Sequence, residues 1–295
     1  MKARALWAEF IGTFALIFVG MMAIATNALQ QADAVQKVNA ASHSKGAALW
    51  IAVTGAMNNG DIGRVGIALA HGFIIAVMVW ATMAVSGGHL NPAVTFGLWL
   101  GKRITLKRLL GYWVVQIAGG IAGAFVASAV LPTGELLNAN IFNSSYGLPQ
   151  VAKFFMDPDQ SVIVSGVPIY ALLIEAILTF FLMYVVLATA AERRVHKIGA
   201  LFIGLTVTLD ILAGGPLTGA AMNPARWLGP AFVVSGEPAG GAGGVIGAAA
   251  YANWAVYIIG PLLGAAIAGI AYGRVPEQQE AYGALAEETA GVLPR

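Results

Sequence analysis

The chain has no cysteine, so disulfides, thiol catalysis and cysteine-ligated metals are excluded. Charge is scarce too. Only 10% of residues are charged against 58% hydrophobic, a balance foreign to a soluble globule of this length. The net charge of +2 offers no basic excess for nucleic acid. No cofactor or metal motif stands out. The glycine-rich stretch Val234–Gly247, with Gly236, Gly240, Gly241, Gly243 and Gly244, lacks the strand and Gly-Lys-Ser/Thr context of a phosphate cradle. The first apolar run carries Glu9 and no cleavage site, so no cleavable signal peptide is expected.

Long apolar runs are what the chain does have. Ala5–Ala25, Val65–Val85, Leu109–Leu131, Pro168–Ala190 and Tyr251–Tyr272 each reach the roughly 20 residues that cross a bilayer. Ile198–Ala213 is shorter and counts as the sixth span, because it leads into a motif described below. Leu49–Met57 is too short to cross and reads as a surface or re-entrant part of a long loop, Gln30–Arg64. Basic residues cluster on one side: Lys2 and Arg4, then Lys102, Arg103, Lys107 and Arg108, then Arg193, Arg194 and Lys197, then Arg274. By the positive-inside rule both termini are cytoplasmic, and a plasma (inner) membrane is expected.

Two copies of one tripeptide organise the rest. Asn91-Pro92-Ala93 lies in Ser86-Gly87-Gly88-His89-Leu90-Asn91-Pro92-Ala93-Val94-Thr95, and Asn223-Pro224-Ala225 lies in Thr218-Gly219-Ala220-Ala221-Met222-Asn223-Pro224-Ala225-Arg226. Asn is a strong N-cap and Pro suits the first helical position, so each copy predicts a helix that starts within the membrane region. The halves repeat elsewhere: Glu9 and Thr13 recur as Glu175 and Thr179, each pair four residues apart. Three spans per half force the second copy to be inverted. Interrupted helices at that depth must be buried in protein or line water, which predicts a pore between them. Glu9 and Glu175 are intramembrane acids, read as supports for the two re-entrant loops rather than as a proton relay. Gly119, Gly120, Gly123, Gly260 and Gly264 suit close helix packing.

The predicted organisation is a first repeat over 1–131, with its half-helix from 91, and an extracellular connection over 132–167. A second repeat over 168–273 has its half-helix from 223. A poorly ordered cytoplasmic tail over 274–295 follows. The fold class is an all-α membrane protein.

With these motifs the chain resembles the aquaporin family, the major intrinsic proteins, over roughly residues 5 to 273. The resemblance implies six tilted helices, two re-entrant half-helices, one pore per subunit and a homotetramer. It also implies no catalysis, and passage of water and small neutral solutes through the lipid bilayer. Four filter positions carry over by their spacing to the two asparagines: His71, Ile211, Ala220 and Arg226. This set is similar to that of the plant tonoplast intrinsic proteins, and so are the runs around His71 and Ile211. Gly87, Gly88 and His89, with Gly219, Ala220 and Ala221, are placed to offer backbone carbonyls to the pore. Trp227 departs from the family pattern, in which a small polar residue or an acid is usual. Asp210, beside Ile211, can pair with His71 or Arg226 or sit protonated in the interior.

The reading is thus a passive, proton-excluding channel for water and further small neutral solutes: ammonia first, then urea or hydrogen peroxide. A glycerol facilitator is the alternative within the family, and a proton-coupled secondary transporter the alternative outside it.

Overall fold

The computed structural model describes residues 2–41, 63–131, 147–159, 161–191, 196–235 and 253–273. Six helices among them are long and apolar enough to cross a membrane. They lie within α1 (Ala3–Ala41), α2 (Gly63–Thr82), α4 (Leu106–Val130), α5 (Ile169–Ala191), α6 (His196–Thr218) and α8 (Trp254–Gly273). Two short helices, α3 (Pro92–Leu100) and α7 (Pro224–Ser235), begin at the asparagine motifs.

The element bounds depart from the sequence reading in three places. Helix α1 does not stop near Ala25 but runs to Ala41. Its continuation through Gln30–Ala41 holds good helix formers and neither Gly nor Pro, so nothing breaks it. The expected first loop therefore starts as helix, and the Leu49–Met57 piece lies outside the described residues. Helix α6 continues past Ala213 through Gly214, Gly215 and Pro216 to Thr218. Gly214 sits so close to Leu178 of α5 that packing, not propensity, sets that end. Finally, the all-α fold carries a short hairpin that the sequence reading did not expect. Ile163–Val164 and Val167–Pro168 form an antiparallel hairpin, β1 and β2, at the end of the expected 132–167 connection, reaching one residue into the second repeat. Its turn, Ser165-Gly166, has φ of 51° and 78°, the double positive φ that suits a two-residue hairpin. The tail over 274–295 lies outside the described residues.

Lipid tails supply no hydrophobic drive between helices, so backbones must come close enough for direct packing. Glycines allow this. A Cβ at Gly119 or Gly123 of α4 would collide with the carbonyls of Phe10 or Phe14 of α1. In the other half, a Cβ at Gly260 or Gly264 of α8 would meet those of Leu172 or Ala176 of α5. Gly72 and Gly204 mark an equally close crossing of α2 and α6. The half-helices are seated the same way. Gly120 of α4 abuts Ala225 and Gly229 of α7, while Gly97 of α3 abuts Ala265 and Gly269 of α8. Phe73, Trp80, Val114, Phe125, Ile177, Phe181 and Leu209 are exposed on the outside, where lipid would cover them.

Candidate functional site: a pair of facing half-helices

The two loops that precede the half-helices share one backbone shape. Positive φ falls at Gly87 (98°), Gly88 (62°) and Leu90 (51°), and again at Gly219 (82°), Ala220 (44°) and Met222 (50°). Three of these six are not glycine, and a side chain at positive φ is strained. Buried carboxylates hold both loops in that shape.

Glu9 Oε1 accepts from the Ser86 hydroxyl (2.6 Å) and the His89 amide (2.9 Å). Its Oε2 accepts from the Leu90 amide (2.7 Å) and Gln116 Nε2 (2.8 Å). Glu175 Oε1 accepts from the Thr218 hydroxyl (2.6 Å) and the Ala221 amide (2.9 Å), and its Oε2 from the Met222 amide (2.8 Å). The threonines four residues on donate back to the carbonyls of Glu9 and Glu175 (2.8 and 2.7 Å). Two tyrosines complete the bracing: Tyr112 donates to the Ser86 carbonyl and Tyr257 to that of Thr218, both at 2.7 Å.

The asparagines join the two halves. Asn91 Oδ1 caps α3 by accepting from the Ala93 amide (2.8 Å), and Asn223 Oδ1 caps α7 by accepting from that of Ala225 (3.0 Å). Asn91 Nδ2 donates to the Met222 carbonyl (2.9 Å) and Asn223 Nδ2 to the Leu90 carbonyl (3.0 Å). Each amide is thus shared reciprocally with the opposite loop, which leaves one N–H on each asparagine uncommitted among the described residues. The carbonyls of Gly87, Gly88, His89, Gly219, Ala220 and Ala221 accept no backbone hydrogen bond among the described residues.

On one side of the asparagines lies a cavity of about 60 Å³. His71, Ile211, Ala220 and Arg226 all line it, with both asparagines and an apolar wall that includes Ile75 and Val207. Arg226 is buried and donates to the Gly147 carbonyl. Its second terminal nitrogen lies 3.3 Å from His71 Nε2, and His71 Nδ1 lies 2.8 Å from the Ile67 carbonyl. A carbonyl only accepts and a guanidinium only donates. His71 is therefore neutral, with its proton on Nδ1 and Nε2 accepting from Arg226. Gly20 of α1 makes room for this ring, since a Cβ there would strike His71 Nε2.

The other side opens into a larger cavity of about 440 Å³, lined by Gly87, Gly88, His89, Arg103 and Thr189 among others. The offset that relates Asn91 to Asn223 pairs His71 with Ile203, Ile211 with Val79, Ala220 with Gly88 and Arg226 with Val94. All four counterparts line the larger cavity. Inversion has built the same ring twice, once with an arginine and a histidine and once without either.

Asp210 pairs with neither His71 nor Arg226. It is buried on α6, and its Oδ2 has no hydrogen-bond partner among the described residues. Trp227 stacks on Tyr257, with ring centroids 5.6 Å apart at 17°. The sequence reading missed Ser86 and Thr218, although each stands five residues before its asparagine. It also missed Gln116, Tyr112, Tyr257, Gly20 and the Gly147 carbonyl, which stand at no repeated spacing.

Six membrane-crossing helices around two facing half-helices, with a cavity on either side of their meeting point, define a membrane channel rather than an enzyme. The chain belongs to the major intrinsic protein family, whose model matches residues 1–272. It is 35% identical over 275 residues to Aquaporin TIP2-1 of Arabidopsis thaliana, covering 92% of this chain and 87% of that one. It is 36% identical over 276 residues to Aquaporin TIP2-3 of Zea mays, with the same coverage. Among solved structures, the aquaglyceroporin from Plasmodium falciparum shares the fold at a TM-score of 0.58 and 22% identity, over 97% of this chain and 98% of that one.

Proposed function

We propose that this protein is a passive water channel that excludes protons and admits ammonia. The observation that carries the reading is the pair of asparagine amides, locked to each other's loops, beside two loops whose carbonyls accept no backbone hydrogen bond among the described residues. Each half-helix brings roughly half a positive charge to the same point. A water held there by two donors cannot accept a proton from its neighbour, and hydronium is repelled. Pore width, lining hydrogen-bond groups, an arginine and half-helix dipoles are the recognised levers of aquaporin selectivity, applied here to named residues. The smaller cavity has room for only a handful of waters. Proteoliposomes should shrink faster than empty vesicles under osmotic shock while holding an imposed pH gradient. A gradient that collapses through the protein would refute proton exclusion and favour the proton-coupled transporter.

Ammonia is supported by the filter residues. Ile211 and Ala220 make one wall apolar, whereas Arg226 keeps donors on the other. Ammonia is close to water in size and tolerates such a wall, while glycerol calls for a long amphipathic slot. Replacing Ile211 by His together with Ala220 by Cys should cut ammonia flux at least about tenfold, a barrier change of roughly 1.4 kcal/mol. Water flux should change far less. Equal ammonia permeability in the two folded, water-conducting proteins would sink this assignment. The basic residues on one set of loops support cytoplasmic termini. The TIP-type relatives lend no support to a plasma (inner) membrane.

A further inference from the structure

The two repeats brace their loops with matching parts, so each serves as a control for the other. Glu9 and Glu175, Ser86 and Thr218, and Tyr112 and Tyr257 are interchangeable in role. The first repeat adds three polar groups that the second lacks. His89 corresponds to Ala221, and Thr95 to Trp227. Gln116, four residues after its tyrosine, corresponds to Pro261. The second loop reaches the same backbone shape without them. Loop bracing alone therefore does not account for the trio.

Their hydrogen bonds fix where the protons sit. Gln116 Nε2 donates one hydrogen to Glu9 Oε2 (2.8 Å) and the other to Thr95 Oγ1 (2.9 Å). Thr95 has a single hydroxyl proton, and its nearest acceptor is the Asn91 carbonyl (2.9 Å), closer than Gln116 Oε1 (3.4 Å). The remaining lone pair of Thr95 Oγ1 faces His89 Nδ1 at 3.2 Å. That nitrogen must then carry a proton, because two acceptors cannot satisfy each other. Tyr112 packs edge-on against the ring, with centroids 5.0 Å apart at 74°. His89 Nε2 has no partner among the described residues, yet it is not among their sealed, partnerless side-chain atoms. His89 is one of the residues that line the larger cavity.

We propose that Thr95 and Gln116 act as positioning residues that hold His89 in its Nδ1–H tautomer, making Nε2 a fixed proton acceptor in the larger cavity. The proposal rests on the water-channel reading and deepens it. The smaller cavity presents the donors of Arg226 and the asparagines. The larger one then presents acceptors deep inside: the loop carbonyls and Nε2, with Arg103 as its cationic lining residue. A water approaching from that side turns its hydrogens back toward these acceptors and offers its oxygen first to Asn91 and Asn223. The opposite tautomer would place an N–H there and orient the water wrongly.

Nitrogen-15 NMR of histidine-labelled protein in lipid tests this directly. The His89 signals are identified by their loss in His89→Gln. The wild type should show a protonated Nδ1 and a bare Nε2. Thr95→Val removes the acceptor and should move the proton to Nε2, and Thr95→Ser should restore it. Water permeability should fall about three- to fivefold in Thr95→Val, the worth of one ordinary hydrogen bond, and recover in Thr95→Ser. A wild-type proton on Nε2 overturns the proposal, as does a Thr95→Val channel slowed without any change of tautomer. If Thr95→Val does not fold, the wild-type spectrum decides. Absent water flux in the wild type would defeat the channel reading while leaving the tautomer measurement intact.

Discussion

Replacing Glu175 by Ala should abolish osmotic water flux and lower the unfolding temperature of the purified protein by about 10 °C. Three donors, the Thr218 hydroxyl and the amides of Ala221 and Met222, lose their acceptor at once. Each buried donor left unpaired costs roughly 1–3 kcal/mol. At least about 3 kcal/mol is therefore at stake, and each kilocalorie moves the transition of a chain this size by about 2–4 °C. The loss falls where the backbone is strained, since Met222 and its neighbour Ala220 sit at positive φ in the loop that these bonds hold. Arg226 follows three residues after the cap, so the filter would lose its footing with the loop.

Glu175→Gln is the sharper variant. One amide oxygen can still serve Thr218 and Ala221, but the NH₂ group would confront the Met222 N–H, donor against donor. A bracing role therefore predicts that Gln is nearly as harmful as Ala. A proton relay predicts instead a folded, water-permeable protein that has lost only proton coupling. Fluorescence-detected unfolding together with stopped-flow light scattering separates the two, and a stable Glu175→Gln channel would count against bracing.

Much of this site is legible in the sequence because backbone chemistry dictates it. An asparagine before a proline must cap a helix or open a turn, and two such starts in apolar frames can be tolerated only inside protein. An acid within an apolar run must find donors, and the re-entrant amides of Leu90 and Met222 are the donors that need it. Close-packing glycines are visible for a similar reason, since nothing larger fits between crossing helices. Other parts are set by three-dimensional packing and leave no periodic mark. Tyr112 and Tyr257 follow their asparagines at different distances, yet each reaches the corresponding carbonyl. The Gly147 carbonyl reaches Arg226 from a connection whose sequence shows no pattern. Helix α6 passes through Gly215 and Pro216 to Thr218 with Gly214 packed against Leu178, a contact that local propensity does not reveal. The fate of Asp210 depends on which neighbours happen to lack a donor, and no spacing encodes that.

Removing the charge at the proposed filter should have the largest effect on selectivity. In Arg226→Val the ring at the smaller cavity would come to resemble the one at the larger cavity, where inversion already places Val94 at the corresponding position. Two consequences follow from the contacts of the guanidinium. Its loss widens a cavity of about 60 Å³ and removes the cation that faces entering solutes. Glycerol and urea permeability should therefore rise at least about tenfold, as expected from lowering a barrier by roughly 1.4 kcal/mol. Small cations should begin to leak, although the half-helix dipoles remain to oppose them. The second consequence concerns His71, whose Nε2 loses the donor it now accepts from. The ring then offers the cavity a bare acceptor where the wild type offers guanidinium N–H groups. Stopped-flow solute uptake and cation flux read both effects. Unchanged selectivity in Arg226→Val would mean that the filter lies elsewhere.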